Sequence, residues 1–190
     1  MDRENHMGEP VVGKPVVLPP LPDVLHDLLA PSLQVVLCGT AASTISAKAS
    51  AYYANPQNKF WRILHETGLT PMLLQPHQFR ELLQYRIGLT DLVKTHSGMD
   101  HQVRSGFGAD AKARLRASIL KYRPKFLAFT SKTAGENLLG GKRGYGEQSE
   151  MLADTRIWIL PSTSGAANGS WRPEIWHAFA DCVRAVGAGD

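Results

Sequence analysis

Three stretches of small and polar residues in this sequence each follow directly on a short apolar run. The apolar runs span 33–38, 126–130 and 156–160, and the small or polar stretches that follow them are 39–43 (GTAAS), 131–132 (SK) and 161–165 (PSTSG). Runs of this length are typical of buried strands. Because parallel α/β sheets bind ligands where their strands end, the pattern predicts a ligand site at one edge of a sheet. The alternative is that each stretch is an ordinary strand-to-loop turn.

Helical patterns separate these predicted strands. Asn55 and Pro56 are suited to the N-cap and first position of a helix that ends near Gly68. Segment 86–93 (RIGLTDLV) is a candidate for another strand. The alternation predicts an α/β fold, a three-layer sandwich with a central, mainly parallel sheet flanked by helices. Three further helices are predicted from Pro76, from Ala111 and from Pro173.

Length and composition favour one globular domain. The chain has 190 residues, of which 43% are hydrophobic, and this allows one sizeable core. Residues 1–22 contain five prolines and predict a flexible N-terminal arm, which leaves 23–190 as the domain. The net charge of +4 permits an anionic partner without identifying one. The sequence has no apolar run of membrane-spanning length and no signal peptide, so we expect a cytoplasmic protein with no membrane partner, nucleoid-associated if bacterial.

The sequence lacks the motifs that mark several common kinds of metal-binding, nucleotide-binding and catalytic site. Cys38 and Cys182 lie in apolar or helix-like surroundings, have no metal-ligand spacing and are expected to be small buried hydrophobes. We therefore expect no metal and no cofactor. An unrelated α/β enzyme acting on a small molecule is disfavoured because the sequence has no Gly-x-Gly-x-x-Gly, P-loop or Gly-x-Ser-x-Gly motif. The longest expected loop, 94–108, is rich in glycine.

Four segments together resemble the mismatch-specific uracil-DNA and thymine-DNA glycosylases of the uracil-DNA glycosylase superfamily. The most specific of them is 55–61 (NPQNKFW), at the family's distance after the first strand. The resemblance implies a monomer that flips uracil out of DNA and hydrolyses its N-glycosidic bond, leaving an abasic site, without a metal or cofactor. It implies a DNA site at the carboxyl ends of the strands. The matching segments are 35–43, 52–71, 82–93 and 156–165.

Both family motifs are altered in this chain. The first reads Gly-x-Asn-Pro-Gly in the family and its Asn positions the attacking water, but Ala41 stands at that position here. In the second motif, Ala166 replaces a bulky residue that fills the gap left by the flipped base, and Asn168 stands where a basic residue is usual. An active enzyme therefore needs other residues for its chemistry. The resemblance and its flanking loop give as DNA-binding residues Ser162, Ser164, Gly165, Ala166, Asn168 and His101.

The resemblance also indicates a base-binding pocket. Tyr53 matches an aromatic residue that stacks on the base, whereas Tyr52 is expected to pack beneath the loop. Asn55 either pairs with a base edge or serves only as a helix N-cap. The small residues 39–43 would form a floor on which main-chain N–H groups approach the base. The predicted pocket residues are Gly39, Thr40, Ala41, Tyr53 and Asn55.

Asp91 is the first candidate for catalysis, because the resemblance brings this acidic residue of an otherwise apolar segment to the pocket wall. A carboxylate there could orient water or stabilise the cationic sugar that develops as the base leaves. The alternative is that Asp91 caps a turn after Thr90. Ser43 is the second candidate, through its hydroxyl near the floor. His101, like His96, either contacts a phosphate, acts at the sugar or is simply solvated.

Basic side chains are the remaining candidates for DNA contact. They either grip the phosphate backbone or form an ordinary charged surface. Two functions follow for a DNA partner: an active uracil-DNA glycosylase, or a non-catalytic or single-turnover protein that binds uracil-containing or abasic DNA. The basic candidates are Lys94, Arg104, Lys112, Arg114, Arg116 and the segment 142–146 (KRGYG).

Overall fold

The core of the protein is a five-stranded sheet in which four neighbouring strands are parallel. The computed structural model describes residues 22–99, 103 and 106–187. The spatial order is β2–β1–β3–β5–β4, with β4 antiparallel to β5. The prediction of a central, mainly parallel sheet is confirmed. The strands are β1 (Val35–Ala41), β2 (Ile87–Val93), β3 (Phe126–Phe129), β4 (Gly146–Leu152) and β5 (Thr155–Ile159).

Helices cover both faces of the sheet, as the three-layer prediction requires. Along β1, Val35 and Leu37 pack into one core, whereas Val36 and Cys38 pack into the other, because alternate side chains of a strand point to opposite faces. The helices are α1 (Thr44–Ala49), α2 (Phe60–Glu66), α3 (Ala109–Tyr122), α4 (Lys132–Leu139) and α5 (Pro173–Gly187). The first core also holds α2, α5 and the 3₁₀ segment Pro76–Tyr85, and the second holds α3 and α4.

Strand β1 extends three residues beyond the predicted apolar run. Its Gly39 and Ala41 are paired with Asp91 and Val93 of β2, so the small residues of the first motif form the end of a strand and not a loop. Small side chains do not prevent pairing when the neighbouring strand supplies partners for the backbone N–H and C=O groups. The predicted loop at 39–43 is therefore wrong for its first three residues.

The expected N-cap role of Asn55 is also wrong. Helix α2 begins at Phe60, and the Asn55 side chain instead accepts a hydrogen bond from the Gln57 N–H at 2.9 Å within a turn. The Asn58 side chain accepts from the Phe60 N–H at 3.0 Å. Asparagine is suited to both roles because its short carbonyl reaches N–H groups two residues ahead. The sequence pattern could not distinguish a turn from a helix start.

Three elements, the short helix α1, helix α4 and strand β4, were not predicted. Helix α4 follows β3 directly, with the Ser131 hydroxyl as its N-cap acceptor from the Ala134 N–H at 3.2 Å. Strand β4 is a largely polar edge strand with little apolar alternation, and it is held by its hairpin with β5. The segment 142–146, expected to be a flexible basic loop, leads into β4, where Arg143 forms an ion pair with Glu150 at 2.6 Å.

A segment before β1 covers the outer edge of β2. Leu28 and Leu89 exchange two backbone hydrogen bonds of 2.9 Å, and the Val24 N–H donates to the Lys94 carbonyl at 2.7 Å. An edge strand covered in this way presents fewer open backbone groups. The predicted flexible arm lies outside the described residues apart from Pro22, so that prediction and the domain boundary remain predictions.

The two cysteines, which the sequence analysis expected to be buried, differ in exposure. Cys38 is buried as expected, whereas Cys182 is only partly buried, on α5. Over the described ranges, no helix combines the length and the apolar character needed to span a bilayer.

The close packing of α4 on β5 gives a test of the fold. A Cβ atom at Gly135 would lie 2.6 Å from two side-chain carbons of the fully buried Ile159. Gly135→Val should therefore lower the free energy of unfolding by about 1–3 kcal/mol through overpacking. Urea denaturation measures this change. Gly144→Val is the control, since nothing lies within 4 Å of its added Cβ, and an equal loss in both variants would contradict the packing.

Candidate active site

A cleft of about 730 Å³ opens at the carboxyl ends of β1, β2, β3 and β5. This is the sheet edge at which the sequence predicted a ligand site. Residues from all three predicted stretches line it, together with the segment before α2. The predicted site residues that it brings together are Gly39, Thr40, Ala41, Ser43, Tyr53, Asn55, Asp91, Ser162, Ser164 and Ala166.

Asp91 lies at the floor of the cleft, beside Gly39. The two residues are register partners on neighbouring parallel strands, and Asp91 is only 4% exposed. A Cβ atom at Gly39 would lie 2.4 Å from the Asp91 Oδ1 and 3.3 Å from the Tyr53 hydroxyl. The carboxylate thus occupies space that any side chain at position 39 would take. Asp91 caps no turn, because it is a paired residue within β2, and the alternative of a turn cap is wrong.

Burial raises the pKa of the Asp91 carboxyl to about 7, because a charged oxygen loses its hydration at the cleft floor. The nearby cations of Lys94 and Arg114 oppose this rise, and the Asp27 carboxylate adds to it. A carboxyl group with a pKa near neutrality can accept a proton from water and release it again. The cleft therefore contains a group suited to general-base chemistry.

Tyr53 forms one wall of the cleft and is held on two sides. Its ring stacks on Phe60 at a centroid distance of 3.7 Å, and its hydroxyl lies 3.0 Å from the Thr130 Oγ1. Its backbone φ of 51° lies in the left-handed region, which is rare for an aromatic residue. Burial and the charge of Asp91 raise the pKa of the Tyr53 phenol, which therefore stays neutral. Tyr52 packs in the core, as expected.

Hydroxyl groups surround the upper part of the cleft. The Thr40 Oγ1 lies 2.8 Å from the Ser131 Oγ, a contact between the ends of β1 and β3. The Ser43 Oγ caps α1, accepting from the Ser46 N–H at 3.1 Å, so its oxygen is already engaged. Thr130, Ser131 and Lys132 also line the cleft, as the strand-end pattern predicted for the 131–132 stretch, but the sequence assigned none of them an individual role.

The second motif forms a short 3₁₀ segment, Gly165–Ser170, at the mouth of the cleft. Its Ser164 side chain accepts from the Ala166 N–H, and the Lys59 N–H donates to the Thr163 carbonyl at 2.9 Å, which joins the 55–61 segment to the second motif. Asn168 accepts a hydrogen bond from the Lys59 ammonium group. Gly165 and Asn168 belong to this loop but do not line the cleft, and His101 lies outside the described residues.

Most of the basic candidates are engaged within the protein. Lys94 is buried at 4% exposure, so the expectation of a surface or phosphate-gripping lysine is wrong for it. Arg114 donates to the Asp91 and Leu92 carbonyls, and Arg116 donates to the Leu138 carbonyl at 3.1 Å. Arg104 lies outside the described residues. Lys132 is the basic residue that lines the cleft, with its ammonium 4.5 Å from the Tyr145 ring centroid.

The acidic and basic groups of the cleft do not form a metal-binding set. Within the described ranges, no group of three His, Cys, Asp or Glu side chains is placed to hold a metal ion.

The buried carboxylate predicts a pH-dependent effect on stability. The pKa of Asp91 is about 7 in the folded protein and 3.8 for a free carboxyl, so folding favours the protonated form. The free energy of unfolding of the wild-type protein therefore falls as pH rises towards 7, whereas Asp91→Asn has no carboxyl group to ionise and does not show this fall. The free energy of unfolding of the variant, relative to that of wild type, should be about 2–3 kcal/mol higher at pH 8 than at pH 5, as measured by urea denaturation. Asp154→Asn, at an exposed carboxylate, is the control, and a difference that is constant with pH would contradict the assignment.

Comparisons with known proteins agree with this geometry. A profile of the Uracil DNA glycosylase superfamily matches residues 26–180. The chain is also similar to the solution NMR structure of a protein from Methanosarcina acetivorans that is provisionally named a uracil DNA glycosylase. The identity is 24% and the TM-score 0.56, over 84% of this chain and 96% of the other, which supports the fold alone. Because the profile spans the sheet, both motifs and Asp91, the chain belongs to the uracil DNA glycosylase superfamily.

Proposed function

We propose that this protein is a monofunctional, monomeric DNA repair glycosylase that flips uracil out of DNA and hydrolyses its N-glycosidic bond, leaving an abasic site. The observation that carries the proposal is the Asp91 carboxylate, which lies at the cleft floor beside the bare backbone of Gly39. Superfamily membership supports DNA as the partner, and the resemblance of the 55–61 segment to the mismatch-specific family supports uracil as the base.

Asp91 supplies the polar group that Ala41 lacks. Both residues lie at the carboxyl ends of neighbouring strands, and Ala41 carries no group that could hold water. In the proposed step, the ionised Asp91 accepts a proton from water as the water oxygen bonds to the sugar C1′. The bond from C1′ to the base breaks, and the base leaves with the bonding electron pair. The carboxylate also stabilises the positive charge that develops on the sugar.

The base is held by the walls and floor of the cleft. The Tyr53 ring is positioned by Phe60 and Thr130, so stacking on it costs little further ordering. Main-chain N–H groups just beyond the paired part of β1 would stabilise the negative charge on the departing base, since the small residues 42–43 also line the cleft. Lys132, at the cleft mouth, would contact a phosphate of the flipped strand.

A second function is favoured by Ala41 itself. If the carboxylate does not activate water, the same cleft binds uracil-containing or abasic DNA without turnover.

One assay separates the two functions. Excess protein is incubated with a uracil oligonucleotide, and strand scission is measured with and without alkali beside a mobility-shift gel. Scission only after alkali supports hydrolysis, scission without alkali indicates lyase chemistry instead, and a shift without scission supports binding alone.

The role of Asp91 predicts both a rate and a pH profile. Asp91→Asn should lower the single-turnover cleavage rate by about 10²-fold or more while binding persists. In wild type the rate should rise with pH up to about 7, because only the ionised carboxyl accepts a proton. Rapid-quench kinetics at saturating protein measure both effects. Asp154→Asn, at an exposed carboxylate, is the control, and Ser43→Ala tests the second catalytic candidate in the same assay. Cleavage by Asp91→Asn at the wild-type rate would refute the assignment.

The Tyr53 wall predicts a selective effect on capture of the flipped base. Tyr53→Ala should weaken binding to uracil-containing duplex by about 10-fold relative to undamaged duplex, since base stacking contributes about 1–3 kcal/mol. Tyr53→Phe should retain most of the affinity, because it keeps the ring and loses only the contact with Thr130. Fluorescence anisotropy with both DNAs measures the ratio. Equal losses on the two DNAs would show that Tyr53 is only structural.

A further inference from the structure

A set of charged side chains, one buried and two partly buried, adjoins the cleft floor and has no role in the proposed reaction. Lys94 follows β2 and is 4% exposed. Its ammonium group lies 2.6 Å from the Asp27 Oδ1 and donates a hydrogen bond to the Tyr52 hydroxyl at 3.1 Å. Lysine is rarely buried to this extent unless its charge is paired, because the charge loses hydration. Asp27 is one such partner for the Lys94 cation.

Asp27 connects the cation to the rest of the cluster. It belongs to the segment that covers the edge of β2, and its Oδ1 also accepts from the Thr90 hydroxyl at 2.6 Å. Its Oδ2 lies 3.6 Å from a guanidinium nitrogen of Arg114. Asp27 thus faces two cations, and one carboxylate cannot balance both of them.

Arg114 links the cluster to Asp91. From α3 it donates two hydrogen bonds of 2.9 Å to the carbonyls of Asp91 and Leu92, which fixes the end of β2. The other titratable side chains around Asp91 are Cys38, Tyr52 and Tyr53, whose pKa values are all raised, chiefly by burial, so they carry no charge near neutral pH. The charged members are therefore Lys94, Arg114, Asp27 and Asp91.

The charges balance only when Asp91 is ionised. Lys94 and Arg114 contribute two positive charges, Asp27 contributes one negative charge, and an ionised Asp91 contributes the second. A Lys94–Asp27 pair that served only to fasten the N-terminal segment would already be neutral without Arg114. The arrangement is instead matched to a second carboxylate at the cleft floor.

We propose that Lys94, held in place by Asp27, is a positioning residue for Asp91: its buried ammonium group favours the ionised form of the carboxyl group at the floor of the cleft. The consequence for catalysis rests on the proposed function, whereas the effect on Asp91 itself does not. Removing the positive charge disfavours the ionised carboxylate, and removing the competing negative charge of Asp27 favours it.

Carboxyl-carbon NMR of the full chain tests this effect without any need for activity. With ¹³C-labelled aspartate, the Asp91 resonance is assigned by its absence in Asp91→Asn and titrated between pH 4 and pH 10. Lys94→Met should raise the pKa of Asp91 by about 1 or more, and Asp27→Asn should lower it by about 1 or more. Lys94→Arg retains the charge and should restore the wild-type titration. Asp154→Asn, which removes the acceptor of an exposed ion pair with Arg123, should leave it unchanged.

The same variants are then tested in single-turnover cleavage as a function of pH. Lys94→Met and Asp27→Asn should shift the pH dependence of the cleavage rate in opposite directions. If these shifts match the changes that NMR gives for the pKa of Asp91, both the positioning role and the proposed function are supported. NMR displacements without a matching rate profile support the positioning role and refute Asp91 as the catalytic base. An Asp91 titration that Lys94→Met leaves unchanged overturns the proposal, and if Lys94→Met fails to fold, an Asp91 titration that Lys94→Gln leaves unchanged does the same. Asp27→Asn keeps an acceptor for Thr90 and Lys94 and gives the comparison in the opposite direction.

Discussion

The packing of the Asp91 carboxylate against the bare backbone of Gly39 is the contact on which the cleft depends. Parallel pairing of β1 and β2 makes the two residues register partners, so their side-chain positions share one side of the sheet. Only the absence of a Cβ atom at position 39 leaves room for a carboxylate oxygen there. The depth of the cleft, the burial of Asp91 and the access of a ligand to the end of β1 all follow from this contact.

Burying a carboxylate has an energetic cost, and the surrounding structure limits it. Desolvation favours the neutral acid, whereas the cations of Lys94 and Arg114 favour the ionised form. Arg114 also joins α3 to the end of β2, and Asp27 joins the segment before β1 to both cations. The edge of the sheet and the floor of the cleft are therefore one electrostatic unit. Stability favours the protonated form of Asp91, whereas the proposed chemistry requires the ionised form. Conflicts of this kind are common at active sites.

The altered motifs show that one sheet edge can hold polar groups contributed by different strands. Ala41 gives β1 no polar side chain at its end, but β2 places Asp91 beside the same cleft. The ends of β3 and β5 add hydroxyl groups, among them Thr130, Ser131 and Ser164. Parallel strands bring their carboxyl ends to one edge, so a group lost from one strand can be replaced from its neighbour with little change in the fold.

Local patterns in the sequence determined the elements whose signal is apolar. The runs that became β1, β3 and β5, and the stripe that became α5, were predicted because a buried strand or helix face must be apolar at a regular spacing. The strand-end rule and the family motifs then located the cleft. The edge strand β4 was missed because it is mostly polar on both faces. The short α4, which follows β3 without a loop, was missed as well.

Only the tertiary structure determined where the polar residues lie and which partners they contact. Asn55 suits a turn as well as a helix start, and Lys94 has the sequence surroundings of a surface lysine until Asp27, far away in the chain, is placed beside it. Burial of a charge depends on partners contributed by distant segments, and local sequence does not record those partners. Hydrophobic periodicity is a property of neighbouring residues, so the sequence determined the layers. Charge compensation is a property of the assembled molecule, so the fold determined the site.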